Sequence, residues 1–316
     1  MKAVFVETFG GPENLKYADL PKPNPGPGQA VVKIAASGVN FIDIYFRTGL
    51  YKADAPVVLG NEGAGTVESV SPDVTDVKVG DRVAYAMTRG SYAEYAAVPA
   101  WQLVKLPDTV DFSTGAAAML QGMTAHYLTH STYSLRSGQS CLIHAAAGGV
   151  GLLLVQMAKM LGARVVATVG THDKAALAKA AGADEVIVYT EEDFAPKAQG
   201  MHVVYDSVGK STFFKSIDCL RPRGMMVTFG NASGPAPDVA PLLLTQKGSL
   251  FLTRPSLAAY TSTAEELRWR ASDVLGWIAE GKLKLHIHKR YPLAQAALAH
   301  QDLEGRKTTG KLLLIP

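Results

Sequence analysis

Cysteine is nearly absent: Cys141 and Cys219 are the only two in 316 residues. Two cysteines supply no disulfide framework, so the chain reads as intracellular. Long hydrophobic runs are missing too. The most apolar stretch, around Gly148 to Leu161, is broken by Gln156 and Lys159 and is too short to span a bilayer. The opening Met1-Lys2-Ala3-Val4-Phe5-Val6 is too brief for a signal peptide and soon meets Glu7, so a cytoplasmic location without a membrane partner is expected. Charge of one sign is never concentrated. The 31 basic and 28 acidic residues are scattered and leave a net charge of +3, which makes nucleic acid an unexpected main partner. No internal repeat or low-complexity tract occurs. With 47% hydrophobic and 19% charged residues, the composition is that of a globular protein, and its length suits two domains.

Glycine, proline and short β-rich runs fill residues 1–120. Pro21 to Gly28 (PKPNPGPG) is a connector that cannot be helical. Strands are expected at Ala30–Ala35 and Gly63–Val70, Val79–Tyr85 reads as a turn leading into a third, and such close spacing suggests a barrel-like β domain. The texture changes over residues 121–257, where strand and helix patterns alternate. Strands are expected at 140–144, 164–169, 185–188, 202–205 and 225–229, with helices at 150–161 and 173–181. That alternation predicts an α/β domain whose doubly wound parallel sheet is covered by helices. The tail, 258–316, carries an amphipathic helix over 265–279 and a closing strand over 311–315.

The sharpest motif is His144-Ala145-Ala146-Ala147-Gly148-Gly149-Val150-Gly151, placed between a strand and a helix. Gly148 and Gly149 let the backbone approach a pyrophosphate, Gly151 allows close helix–strand packing, and the helix N-terminus attracts the anion. Ala146 stands where the first glycine of G-x-G-x-x-G would be. An NAD site places an acid about twenty residues on. Here Gly170 and Thr171 fill that place and Lys174 follows, which favours NADPH, with Asp173 expected to cap the next helix.

These residues, with Gly38 to Asp43 (GVNFID), Gly49-Leu50-Tyr51, Val204 to Gly209 (VYDSVG), Phe229-Gly230-Asn231, Lys247 to Leu250 and Thr253 to Ser256, resemble the zinc-free quinone oxidoreductases of the medium-chain dehydrogenase/reductase superfamily, the zeta-crystallin group. The resemblance runs from end to end. It implies a GroES-like catalytic domain built from both chain ends around an inserted Rossmann-type NADPH domain. It further implies that Asn40, Tyr45 and Tyr51 serve catalysis at the nicotinamide end, with Gln121 and Thr124 near the cofactor. Gly148, Gly149, Val150 and Gly151 would hold the pyrophosphate. Lys174, Tyr189 and Arg306 would surround the 2′-phosphate, and Phe229 and Asn231 would flank the nicotinamide.

Zinc enzymes of the wider superfamily use a cysteine, a G-H-E segment and a second cysteine or acid. Here the first position falls within Gly38-Val39-Asn40 and the second reads Gly60-Asn61-Glu62, which leaves Glu62 as a structural acid and no metal expected. The pairs His126/His130 and His286/His288 have no evident third ligand and read as partly exposed histidines. Without a Lewis acid, an electron-poor acceptor such as a quinone suits better than an alcohol. An enone or enoyl-thioester reductase with Tyr51 as proton donor stays open, and so, from another class, does a nucleotide-regulated RNA-binding or structural protein. Residues 248–254 read as an apolar edge strand, the expected route to a homodimer.

Overall fold

The computed structural model describes residues 1–316, and the chain divides into two units. One consists of Met1–Met123 with Thr261–Pro316, the other of Thr124–Tyr260. The N-terminal part contains strands β1 (Lys2–Val6), β2 (Lys16–Asp19) and β3 (Gln29–Val39), helix α1 (Phe41–Thr48) and strand β4 (Val57–Val58). Strands β5 (Glu62–Val70), β6 (Arg82–Ala86), β7 (Tyr95–Pro99) and β8 (Val104–Lys105) precede helix α2 (Phe112–Tyr127). The second unit begins with β9 (Ser140–Ile143), α3 (Gly149–Met160), β10 (Arg164–Val169), α4 (His172–Ala180) and β11 (Glu185–Val188). It continues through β12 (Met201–Asp206), α5 (Phe213–Asp218), β13 (Leu220–Thr228), α6 (Pro241–Gln246), β14 (Phe251–Thr253) and α7 (Leu257–Tyr260). The returning segment adds α8 (Ala264–Ala279), β15 (Ile287–Pro292), α9 (Ala296–Glu304) and β16 (Lys311–Ile315).

In the first unit, β3 is the central strand. It pairs antiparallel with β16, β5 and β7 in a sheet ordered β15-β16-β3-β5-β6-β8, so both ends of the chain share one sheet. Leu312 lies opposite Val39, and Leu314 opposite Ser37. Ala30, Val32, Ile34, Val67, Val83, Tyr85 and Val98 form a dry cluster on this sheet. A smaller sheet, β2-β1-β4, packs Val4, Val6 and Val57 into a second cluster with Leu312, Leu314 and Tyr291.

The second unit holds a six-stranded sheet ordered β11-β10-β9-β12-β13-β14, every neighbouring pair parallel. Counted from β9, this is the order 3-2-1-4-5-6 of dinucleotide-binding sheets, whose ligand crevice opens at the carboxyl ends where the order reverses. Leu142, Val165, Val166, Val203 and Val204 are all buried, as central parallel strands covered on both faces require.

Two expectations are corrected. The apolar segment 248–254 forms a strand only over Phe251–Thr253, because Gly248 and Ser249 have φ of 105° and 56° and make a turn. That short strand is the sheet edge, and Phe251 is 57% exposed. Helix α4 is capped not by Asp173 but by Thr171, whose Oγ1 accepts the Lys174 N–H at 3.4 Å. Threonine has the extended backbone (φ −151°) that an N-cap needs, whereas Asp173 already lies inside the first turn.

Candidate functional site

In the second unit, His144 to Gly151 leave β9 and open α3 at the point where the strand order reverses. Gly148 is the N-cap, and the first intrahelical bond runs from Leu152 N–H to the Gly148 carbonyl at 2.9 Å. The helix ladder therefore gives the N–H groups of Gly149, Val150 and Gly151 no acceptor, the arrangement that receives an anion. Gly151 is obligatory: a Cβ there would stand 2.3 Å from the Ala145 carbonyl oxygen and 2.7 Å from Ala146 Cα. The missing first glycine is accommodated, since Ala146 is buried and its N–H reaches the Thr168 carbonyl at 3.1 Å.

The end of β10 carries no acid. Gly170 follows Val169, and Tyr189 follows the adjacent Val188 of β11, its N–H bonded to the Val169 carbonyl at 3.0 Å. The Tyr189 hydroxyl lies over Gly170, 2.9 Å from where a Cβ would be. Lys174 sits in the first turn of α4 just beyond. Gly170, Lys174 and Tyr189 thus adjoin one strand end. Phe229 and Asn231 follow β13; the Phe229 N–H bonds the Asp206 carbonyl at 2.8 Å, and Arg254 Nη1 fixes the Thr228 and Gly230 carbonyls at 3.3 Å each. Thr124 is buried in α2. Arg306, the remaining residue of the expected phosphate group, lies in the first unit, exposed just beyond α9 with φ 54°.

In the first unit, α1 presents two opposite faces. Asp43 and Arg47, four residues apart, point inward, whereas Tyr45 is half a turn away. The Tyr45 and Tyr51 ring centroids are 5.2 Å apart, with Phe46 5.7 Å from Tyr51 and Phe41 6.2 Å from Tyr45. Gly49 (φ 79°) caps the helix, and the Tyr51 N–H returns to the Tyr45 carbonyl at 3.0 Å. Tyr51 is 36% exposed and Tyr45 buried, with Phe41 and Phe46 half-buried between these extremes.

Asn40 joins a buried group of polar side chains. It is buried; its Nδ2 donates to Glu62 Oε2 at 2.9 Å, and its Oδ1 accepts from Lys311 Nζ at 2.8 Å and Gln121 Nε2 at 3.3 Å. Glu62 also bonds Lys311 Nζ directly and accepts the Leu120 N–H at 2.6 Å. Burial pulls the Lys311 ammonium down, and Glu62 holds it up. Lys311 Nζ thus lies beside the acid, and Asn40 and Gln121 complete its surroundings.

A second buried chain lies beneath α1. Asp43 accepts from Asn61 Nδ2 (2.7 Å), Asn40 N–H (2.9 Å) and the Tyr92 hydroxyl (3.1 Å). Burial pushes its carboxyl up to about 6. Tyr92 meets His300 Nε2 at 3.1 Å, and His300 Nδ1 meets Arg47 Nη1 at 3.3 Å. Arginine only donates, so Nδ1 accepts and Nε2 carries the proton. Burial, helped by Arg47, pushes His300 down to about 3. Arg47 finally pairs with Glu304 through two bonds of 2.8 and 2.7 Å. Sequence reasoning missed Asn61, Tyr92, His300 and Lys311. Only the four-residue spacing of Asp43 and Arg47 on an otherwise apolar helix signalled it.

The histidine pairs differ. His126 is fully buried in α2 rather than partly exposed, its ring stacked on that of His130 at 4.3 Å. His286 and His288 both meet Thr309 Oγ1, at 3.0 and 3.1 Å. No group of three or more His, Cys, Asp or Glu is arranged to hold a metal ion.

Comparison with known proteins accords with this geometry. Residues 26–108 match the alcohol dehydrogenase GroES-like domain family and residues 181–314 the zinc-binding dehydrogenase family. A quinone oxidoreductase of Pseudomonas aeruginosa is 47% identical, with 100% of this chain and 99% of that protein covered. Escherichia coli quinone oxidoreductase, solved in complex with NADPH, superposes with a TM-score of 0.98 at 42% identity over 100% of both chains. A mycobacterial protein solved with NADPH gives 0.98 at 47% identity, again over 100% of both. The chain belongs to the quinone oxidoreductase family of the medium-chain dehydrogenases/reductases.

Proposed function

We propose that the protein is a cytoplasmic NADPH-dependent quinone oxidoreductase that works without a metal and acts as a homodimer. The observation that carries this reading is the dinucleotide turn joined to an acid-free β10 end. Gly151 is a cradle that a Cβ would fill, and Gly170, Tyr189 and Lys174 leave a small, uncharged ribose position beside a cation. These features fit NADPH better than NADH. Bound NADPH supplies a hydride. The open N–H groups of Gly149, Val150 and Gly151 would hold the pyrophosphate, and Lys174 would neutralise the 2′-phosphate.

On the acceptor side, the Tyr45–Tyr51 group offers stacking area to a flat ring, and Tyr51 is its exposed member. A quinone oxygen needs only modest hydrogen-bond support as it takes up electrons, and its protons can come from water. Asn40 serves by holding the Glu62–Lys311 pair rather than by direct contact. The Pseudomonas aeruginosa and Escherichia coli relatives named above carry the same activity in their names. An acceptor series tests the reading by following NADPH absorbance. Quinones should oxidise NADPH faster than crotonyl thioesters or simple enones. Faster turnover of the thioester would make the protein an enoyl reductase, and nucleotide-sensitive capture of single-stranded RNA without turnover would make it a binding protein.

A further inference from the structure

The first residue of the turn motif, His144, is buried and bonded at both ring nitrogens. Its Nδ1 meets Thr168 Oγ1 at 2.8 Å, at the end of β10, and its Nε2 meets Ser216 Oγ at 2.8 Å, on α5. The proton positions follow from counting. Ser216 has one hydroxyl proton, and Oγ donates it to the Thr212 carbonyl at 2.8 Å. Ser216 Oγ must therefore accept from His144, which places the ring proton on Nε2. Nδ1 is then an acceptor, and the Thr168 hydroxyl donates to it. Burial lowers the imidazole from its ordinary pKa, and the Phe194 ring packs against it at a steep angle with the ring centroids 4.8 Å apart. Asp206 is the one charged group with a resolved effect on it, and it acts in the opposite sense to burial.

The chain of bonds continues beyond Ser216. Thr212 Oγ1 donates to Asp206 Oδ2 at 2.8 Å, and Asp206 Oδ1 accepts the N–H groups of Val208 and Gly209 at 2.7 and 3.0 Å. The VYDSVG segment and the glycine turn are thus tied through one imidazole. On the other side of that imidazole stands Ala145, a non-glycine residue at φ 50°, in the left-handed region that costs an alanine on the order of 1 kcal/mol. The Ala145 carbonyl accepts the Gly148 N–H at 2.9 Å and lies against Gly151. An ordinary backbone at residue 145 would move that carbonyl and with it the start of α3. Something must hold the unfavourable conformation, and the doubly bonded ring of the preceding residue is placed to do so.

We propose that His144, fixed as the Nε2–H tautomer between Thr168 and Ser216, is the positioning residue that holds Ala145 left-handed and so aims the α3 N-terminus at the dinucleotide pyrophosphate. This rests on the reading that the turn binds NADPH, and the experiment separates the two. Long-range ¹H–¹⁵N correlation on the intact protein should show His144 as the Nε2–H tautomer, unchanged from pH 5.5 to 8.5; an Nδ1–H tautomer or a titration in that range would overturn the assignment. Titration with NADPH and NADH should then show His144→Leu weakening both about equally, by roughly tenfold or more, with kcat at saturating nucleotide within about twofold. Adding Ala145→Gly, which removes the left-handed cost, should recover most of the loss. If His144→Leu does not fold, Ser216→Ala replaces it, with a loss of about threefold or more in affinity and the same recovery by Ala145→Gly. Wild-type affinity in either folded variant, or no recovery, would reduce His144 to a packing residue. Failure of the wild-type chain to bind either nucleotide would instead remove the underlying reading.

Discussion

At the scale of single residues, the proposed cofactor choice rests on Lys174. It lies in the first turn of α4 beyond Gly170, with Tyr189 over the glycine. Lys174→Ala should raise KM for NADPH about ten- to a hundredfold, since a hydrogen bond to a charged group is worth about 1.5–3 kcal/mol, and should leave NADH little changed. Equal losses for both nucleotides would make the lysine structural. Tyr51 is the residue that tests the acceptor chemistry. Tyr51→Phe should lower quinone turnover only modestly, below about tenfold. A proton donor to a carbon would lose about a hundredfold or more on enone substrates. Much of this was legible beforehand: Gly151, Gly170, Lys174 and the two tyrosines stand in local motifs whose spacing carries their geometry. The side-chain partners of Asn40 were not legible. Its amide is consumed by Lys311, which lies 271 residues away and looks in the sequence like an ordinary strand-end charge.

At the scale of elements, α1 and α9 are joined by buried polar groups, and this controls how the tyrosine-bearing helix responds to acid. His300 ordinarily titrates near 6.5 but is held near 3, so its contribution to stability is complete above 6.5 and is lost as pH falls toward 3. Asp43 is shifted the other way, from 3.8 to about 6, so its contribution is complete below 3.8 and is lost as pH rises through 6. Between about 4 and 6 the two oppose each other. The histidine effect sets in first, as pH falls from 6.5 to 6, so acidification should cost a small net amount of stability. Melting temperature followed from pH 7 to 4.5 should therefore fall, and His300→Gln, though less stable at pH 7, should fall less steeply; parallel curves would contradict this. The strands and helices were readable from periodicity because each is set by neighbours in sequence. The Arg47–His300–Tyr92–Asp43 chain was not, because its members come from three distant segments and each alone resembles a surface or core residue. The short β14 was misjudged in length for a local reason: the left-handed Gly248 and Ser249 end the apolar run's extended course.

At the scale of the whole molecule, the six-stranded sheet ends in β14, three residues long with Phe251 exposed. An edge of this kind invites pairing with a second copy across a two-fold axis. Light scattering at micromolar concentration should report a mass near 67 kDa, twice the 33.5 kDa chain. A monomer mass would remove the proposed dimer, and Phe251→Lys should shift a dimer toward monomer. The most direct measurement for the account is steady-state reduction of a simple benzoquinone by protein whose zinc content has been counted after exhaustive chelation. The proposed roles predict the result: Lys311 Nζ already occupies the place beside Glu62, and Lys174 would select the phosphorylated nucleotide. Chelated protein with less than about one zinc per ten chains should turn over as fast as untreated protein, with kcat/KM for NADPH at least about tenfold above that for NADH. Activity lost with one zinc per chain, or an equal preference for NADH, would contradict it.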